Sequence, residues 1–337
     1  MKRSLFIWFH LACIFSAGIL MAQNTTVVYL EGEPQHKNSK GVLAPLDYGS
    51  RLSAGESVIT GKKDLAELEQ GSAAVIRIKP NTVFTIREVE TGGQKEQVLS
   101  TVVGSVSMKF NRLAGKEPRV GTVSTIAGIR GTELTVFAGP DGSSLFIVKS
   151  GLVSVTAEGK TVDLGEQEAV EVPVGGPPGE KYSVLGRELD FSVWAQEKAE
   201  ALLADPLAAL ERTQVLLEQF KAGLAEWVGK YESARVESEA AAKTMAEITD
   251  KEAQGKYRDE VWFPLALQTG SAVLNYRYYT LSALSLRRYV LGPLYMQVRT
   301  RNMVTKDSTY ETFMARYRKL IQDFQETFEP YTNITDY

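Results

Sequence analysis

Apolar and polar residues alternate with a period of two through the first half of the chain, and with helical spacing through the second. Between residues 26 and 172 the apolar runs are short, β-branched and separated by Gly, Asn, Asp and Pro. That pattern predicts an all-β sandwich or roll. Strands are expected at Thr26–Glu31, Val58–Thr60, Ala66–Glu69, Ala74–Lys79, Val83–Glu88 and Val120–Ile126. Val98–Phe110 reads as a strand broken by Gly104. Glu133–Ala138 and Leu145–Lys149 form a hairpin across Pro140-Asp141-Gly142. Turns are expected at His36–Lys40, Pro80-Asn81 and Thr91–Gln94. Val103-Gly-Ser-Val-Ser-Met and Lys149-Ser-Gly-Leu-Val-Ser-Val echo each other, as two equivalent strand entries would.

Glycine marks the change of character. Of 28 glycines, 21 fall within residues 26–179, whereas 11 of 14 tyrosines and three of four tryptophans lie beyond residue 187. The stretch V-P-V-G-G-P-P-G at 172–179 reads as a linker, since Pro blocks ladders and helices. The predicted division is an export signal over 1–22, a β domain over 23–172, a Pro/Gly linker over 173–189 and an α-helical domain over 190–330.

In the helical half, Asp190 precedes an apolar turn, and Asp205-Pro206 is an N-cap followed by Pro at the first helical position. Leu210, Leu217, Leu224 and Tyr231 recur every seven residues, with Thr213, Phe220, Trp227 and Ala234 three residues later. This is the a/d seam of a long coiled-coil-like helix in an all-α bundle. The seam thins through Glu232–Lys243 and returns at Met245 and Ile248. A helix over 206–252, ended by Gly255, would run ~70 Å. A second helical stretch, Lys256–Arg301, is expected to break at Pro264 and at Gly292-Pro293. Ser308 and Glu311 predict a capping box for a last helix. Its stripe from Tyr310 to Phe328 is expected to fold back on the seam, the alternative being self-association through the helices.

The N-terminus, Met1-Lys2-Arg3 followed by an apolar run to Ala22, has the form of an export signal, with cleavage expected after Ala22 and an uncleaved membrane anchor as the alternative. Cys13 is the sole cysteine, so the mature chain would carry no disulfide, thiolate nucleophile or Cys-based zinc site. Removing Lys2 and Arg3 from the 38 basic residues leaves 36 against 41 acidic ones, a net −5. A mildly acidic chain lacks the basic surface that nucleic-acid binding uses.

The segment T-V-S-T-I-A-G-I-R-G-T-E-L-T-V-F at 122–137 stands out. Gly128 and Gly131 flank Arg130, and Thr132 follows. This predicts a tight sheet corner with a fixed arginine, structural or ligand-binding. T-x-A-G-I-R-G-T-E-L resembles the signature of the FecR-like domain, a bacterial extracytoplasmic β-module. Segments at 49–60, 71–86, 104–108 and 148–155 match the same family in the same order, and together they cover about residues 26–172. The resemblance implies an interaction or envelope-scaffold role in signalling, exercised through protein–protein contacts in the periplasm or cell envelope. Well-known members place a sigma-binding cytoplasmic region before one membrane span. Only Met1–Arg3 precede the apolar run here, so such a region is not expected.

No catalytic set emerges. His36, the one histidine of the mature chain, reads as an exposed turn residue. Glu67 and Glu69 read as a solvated edge. No zinc, calcium or phosphate-loop spacing is present, and no cofactor is implied. In the helical half, Tyr276, Arg277, Tyr279, Arg287 and Arg288 cluster around one helix. They line either an interdomain seam or a groove for a partner protein or glycan. The expectation is an exported, non-enzymatic protein that binds an envelope partner, with a cell-wall glycan- or small-ligand-binding module as one alternative and an enzyme of unknown class as the other.

Overall fold

The structure is a computed structural model that describes residues 25–91, 94–111, 119–306 and 308–332. The export signal and Gly92-Gly93 of one expected turn lie outside the described residues.

Among the described residues fifteen strands join one sheet. The first eight are β1 (Thr25–Glu31), β2 (Gln35–Lys37), β3 (Leu43–Pro45), β4 (Arg51–Leu52), β5 (Ser57–Ile59), β6 (Leu65–Gln70), β7 (Ala74–Ile78) and β8 (Val83–Thr91). The remainder are β9 (Gln94–Phe110), β10 (Arg119–Gly121), β11 (Ile126–Ala138), β12 (Ser144–Ala157), β13 (Lys160–Leu164), β14 (Glu168–Val172) and β15 (Tyr182–Ser183). The pairings are antiparallel except that β10 runs parallel to β9. Alternate residues such as Phe84, Ile86, Met108, Leu134, Val136 and Phe146 point into one apolar core shared by strands from both ends of the sheet. The sheet thus wraps around a single interior, as the period-two pattern requires.

Several local expectations are corrected. His36 lies in β2, paired with Ala44 and Val58, and its Nε2 is 3.4 Å from Glu56 Oε2. The polar turn follows it, at Asn38–Gly41. Glu67 and Glu69 sit on β6, inside the sheet between β1 and β7, where Glu67 pairs with Arg77 at 2.7 Å. The stretch 120–126 is divided between β10 and the start of β11, because Thr122 to Thr125 make a turn closed by Thr122 N–H to Thr125 O at 2.9 Å.

Gly104 does not break β9. It takes φ +103°, and an added Cβ would stand 2.3 Å from Thr82 Oγ1. The Thr82 hydroxyl lies 3.1 Å from Pro80 O and 3.2 Å from Ser105 O. The same device recurs further along, with its threonine 50 residues on and its glycine 47. Gly151 takes φ +91° against Thr132, whose hydroxyl lies 3.1 Å from Arg130 O and 2.8 Å from Leu152 O. Asn81 and Gly131, each just before its threonine, share φ +54°. The flanking sequences match too, as T-V-F-T-I at 82–86 and T-E-L-T-V at 132–136. β7–β8–β9 and β11–β12 are therefore two copies of one hairpin, each with an irregular corner where the ladder shifts register.

Six helices follow: α1 (Phe191–Ala204), α2 (Pro206–Glu247), α3 (Lys251–Tyr257), α4 (Phe263–Leu286), α5 (Gly292–Thr305) and α6 (Tyr310–Phe328). Asp190 and Asp205 cap α1 and α2 as their positions predict: Asp190 Oδ1 accepts from Ser192 N, and Asp205 Oδ1 from Ala208 N. α2 ends earlier than expected. Ile248 turns extended and Asp250 caps α3, so Gly255 lies inside α3. At 42 residues α2 runs ~63 Å. Pro264 and Pro293 do not break the following stretch. Each sits just beyond a wide π-turn, Arg258–Trp262 and Arg287–Leu291, which leaves room for the proline ring and its missing donor. α6 begins at Tyr310 with Thr309 at its cap, not at a Ser308–Glu311 box.

The seam is buried at Leu210, Thr213, Leu217, Phe220 and Leu224, and its second register continues through Ala234 and Ala241. Its main cover is α4, joined by α6 through Phe313, Phe324 and Phe328. This is a helical region packed within the chain, with α2 as its long helix. Residues 173–189 lie against the body: Val174 and Val184 are buried, and β15 pairs with β14.

Candidate functional site

The two halves meet through β8 and α4. On β8, Phe84 and Ile86 face the β core, so Val83, Thr85, Arg87 and Val89 face the helices. Arg87 is 2% exposed. Its Nη1 donates to Ser282 Oγ at 2.7 Å and its Nη2 to Ser285 Oγ at 3.2 Å, and the guanidinium lies 5.7 Å from the Tyr278 ring centre. Burial lowers its pKa, and Tyr278 opposes that shift. Three residues along the strand, Asn275 treats β8 as a neighbouring strand would. Its Nδ2 donates to Glu90 O at 3.1 Å and its Oδ1 accepts from Glu90 N at 3.3 Å. Val83, Val102, Val123 and Val174 of the β half belong to the same apolar cluster as α2 and α4.

Beside this joint the halves part, leaving a cleft of about 880 Å³. Its floor is the outer face of the sheet. Arg119, Gly128 and Ser154 stand in one row across β10, β11 and β12. Gly128 has ordinary negative φ, and an added Cβ would meet nothing within 4 Å, so the floor there is open. One end holds an ion pair, with Arg119 Nε 2.7 Å from Glu96 Oε2. The roof is aromatic: Phe220 of α2 and Tyr279 of α4 have ring centres 6.5 Å apart, and Tyr278 meets Tyr279 edge-on at 5.5 Å. Gly223 on α2 lets the Tyr279 ring approach, since a Cβ there would lie 2.4 Å from it. Gln219 Nε2 donates to Glu158 Oε2 at 2.8 Å and ties α2 to the β12–β13 turn. Burial pushes the Tyr278 and Tyr279 phenols up.

The residues singled out in the sequence separate into three places. Gly128 and Tyr279 both line this cleft. Arg130, Gly131 and Thr132 form the second-copy corner, where Thr132 is buried and Arg130 is exposed. Tyr276 is buried in the helical core, with rings at 5.6 Å from Tyr231 and 6.0 Å from Tyr331. Arg277 is half-buried on the same helix. Arg287 pairs with Glu329 at 2.9 Å and covers the Phe324 ring, and Arg288 is exposed over Tyr289. Arg87, Glu96, Arg119, Asn275 and Ser282 escaped the sequence reading. One signal could have found Arg87: V-F-T-I-R-E-V is apolar on both faces apart from Thr85, Arg87 and Glu88, the mark of a strand covered twice.

Among the described residues no group of three or more His, Cys, Asp or Glu is placed to hold a metal ion, and no helix is long and apolar enough to cross a membrane.

No family model matches the chain, and no curated protein does. Two crystal structures, at 1.65 Å and 2.50 Å, of a "putative anti-sigma factor" from Parabacteroides distasonis ATCC 8503 are similar to it. Their identities are 18% and 17%, with TM-scores of 0.33 and 0.32. Each match covers 38% of this chain and spans 59% of the length of that protein.

Proposed function

We propose that this chain is an exported, non-enzymatic interaction protein of a bacterial cell envelope, whose FecR-like β half and helical half act together on a protein partner in signalling or scaffolding. The observation that carries it is the Arg87 joint. A buried cation bonded to two serines of the other half, together with Asn275 on the Glu90 backbone, fixes one half against the other. A partner then meets one composite surface instead of two tethered modules. Export is supported by the basic start, the apolar run and Ala22. The non-enzymatic reading rests on the sequence, which carries no recognisable catalytic set.

The test is in-cell crosslinking of the full chain followed by isolation from the envelope fraction. One envelope protein, captured reproducibly and lost when the halves are expressed separately, is the expected result. Recovery in the cytoplasm, or equal capture by an isolated half, would overturn the reading.

A further inference from the structure

We infer that the cleft between the sheet and helices α2 and α4 is a carbohydrate site, taking a neutral oligosaccharide laid along the row Arg119–Gly128–Ser154. This goes beyond a protein-partner role and rests on that reading only for the place where ligand and protein meet.

Three features point to a sugar. The cleft is of small-ligand size, within the ~300–1,000 Å³ of such sites. Its floor is flat where Gly128 has no side chain, and Ser154 and Thr156 on the adjacent strand are exposed. A pyranose has two faces, one of C–H groups and one ringed with hydroxyls at its edge. The C–H face suits the half-buried Tyr279 ring, which Phe220 backs from the buried seam, because aromatic rings bind through large apolar surfaces while a tyrosine hydroxyl keeps polar contact.

The second feature is the Glu96–Arg119 pair. It sets a planar acceptor beside a planar donor fork, at 2.7 Å. Neighbouring sugar hydroxyls each donate and accept, so they match such a pair in both senses. An anionic ligand would gain from Arg119 but meet Glu96 and Glu158. A cationic one would meet the reverse conflict. The Glu96–Arg119 pair is neutral as a unit and Glu158 is taken up by the Gln219 amide, which together favour a ligand that is polar and uncharged.

The third feature is the strap. The Gln219–Glu158 bond at 2.8 Å joins two residues of the cleft wall and offers a further amide and carboxylate to the same ligand. It also ties the site to the relative position of the halves, since α2 supplies Gln219 and the β12–β13 turn supplies Glu158.

The experiment is titration calorimetry of the full chain with tri-N-acetylchitotriose, maltotriose and cellotriose, with phosphate and succinate as charged probes. At least one neutral trisaccharide should bind and the anions should not. Gly128→Leu fills the floor where nothing is displaced, and should weaken that binding at least tenfold with an unchanged melting temperature. Should Gly128→Leu not fold, Ser154→Phe fills the same floor from an exposed position and should weaken it equally. Binding by none of the three sugars, tighter binding of an anion, or full affinity in both variants would overturn the inference. A crosslinked protein partner retained by a chain whose cleft binds no sugar would leave the proposed function standing and remove this site alone.

Discussion

Arg87 Nη1 and Ser282 Oγ are 2.7 Å apart across the boundary between sheet and helices, and 195 residues apart in sequence. Ser282 Oγ also donates back to Tyr278 O at 2.8 Å, so the serine keeps a partner if the arginine is removed. The guanidinium Nε has no hydrogen-bond partner among the described residues. In the stability balance the two serine bonds are offset by the cost of a desolvated charge, so the net gain from Arg87 is chiefly bulk, while the bonds set how the halves sit. Arg87→Met keeps the bulk and drops the charge, and its stability should stay within ~1 kcal/mol of wild type or exceed it. Arg87→Ala leaves a cavity and should cost about 2–4 kcal/mol. Chemical denaturation measures both. Equal stabilities for the two variants would show that filling the joint is not what Arg87 does.

The duplicated corner supplies its own control. Asn81 and Gly131 occupy equivalent places at the same φ of +54°. Asparagine tolerates that conformation and β-branched residues do not. Gly131→Asn should be nearly neutral, while Gly131→Val should lower stability by about 1–3 kcal/mol. Gly104→Ala and Gly151→Ala should both cost at least ~1 kcal/mol, since each adds a Cβ at positive φ against its threonine. Thermal melts of the four variants test this, and a Gly131→Asn protein as damaged as Gly131→Val would dissolve the equivalence.

Local physics made much of this fold legible and left the joint hidden. The caps at Asp190 and Asp205 and the seven-residue seam from Leu210 to Leu224 are short-range signals, and all form. The echo around Gly104 and Gly151 was visible as sequence, but the glycine read as a break because a bulge and a strand end use the same residue. Pro264 and Pro293 read as breaks because the π-turns that absorb them leave no mark in the hydrophobic period. The cleft depends on pairing Arg119 with Gly128 and Ser154, and on bringing α4 over β8. Both are contacts between distant residues that composition does not encode. Gly128 and Tyr279 were each noticed, but nothing in sequence sets them in one cleft.

Gly223 tests the roof of the cleft. A Cβ at this position would stand 2.4 Å from Cε1 and Cζ of Tyr279, so the ring must shift. Alanine favours the helix by about 1 kcal/mol over glycine, but the displaced ring costs about 1–3 kcal/mol. Gly223→Ala should therefore be neutral to destabilising in spite of its better helix propensity. Gly229→Ala on the same helix meets nothing within 4 Å and should stabilise. Melting temperatures moving upward together would show that Tyr279 does not rest on Gly223.

Alkaline pH separates two opposed groups in the joint. Burial raises Tyr278, Tyr279, Tyr289 and Tyr317 above the ordinary phenol value of 10.0. Above that value the unfolded chain loses phenolic protons while the folded chain keeps them, so stability is whole below pH 10 and falls as pH rises through the folded values. Lys37 works the other way. Burial, then Arg288 and Arg87, lower it from 10.5. Between its folded value and 10.5 the unfolded chain holds a proton that the folded chain has released, so stability rises with pH there and levels off above. The urea midpoint should thus climb gently on approach to pH 10 and then drop. Lys37→Met should remove the climb, and Tyr278→Phe should make the drop shallower. A Tyr278→Phe protein that loses stability above pH 10 as steeply as wild type would mean that this phenol does not titrate from a buried site.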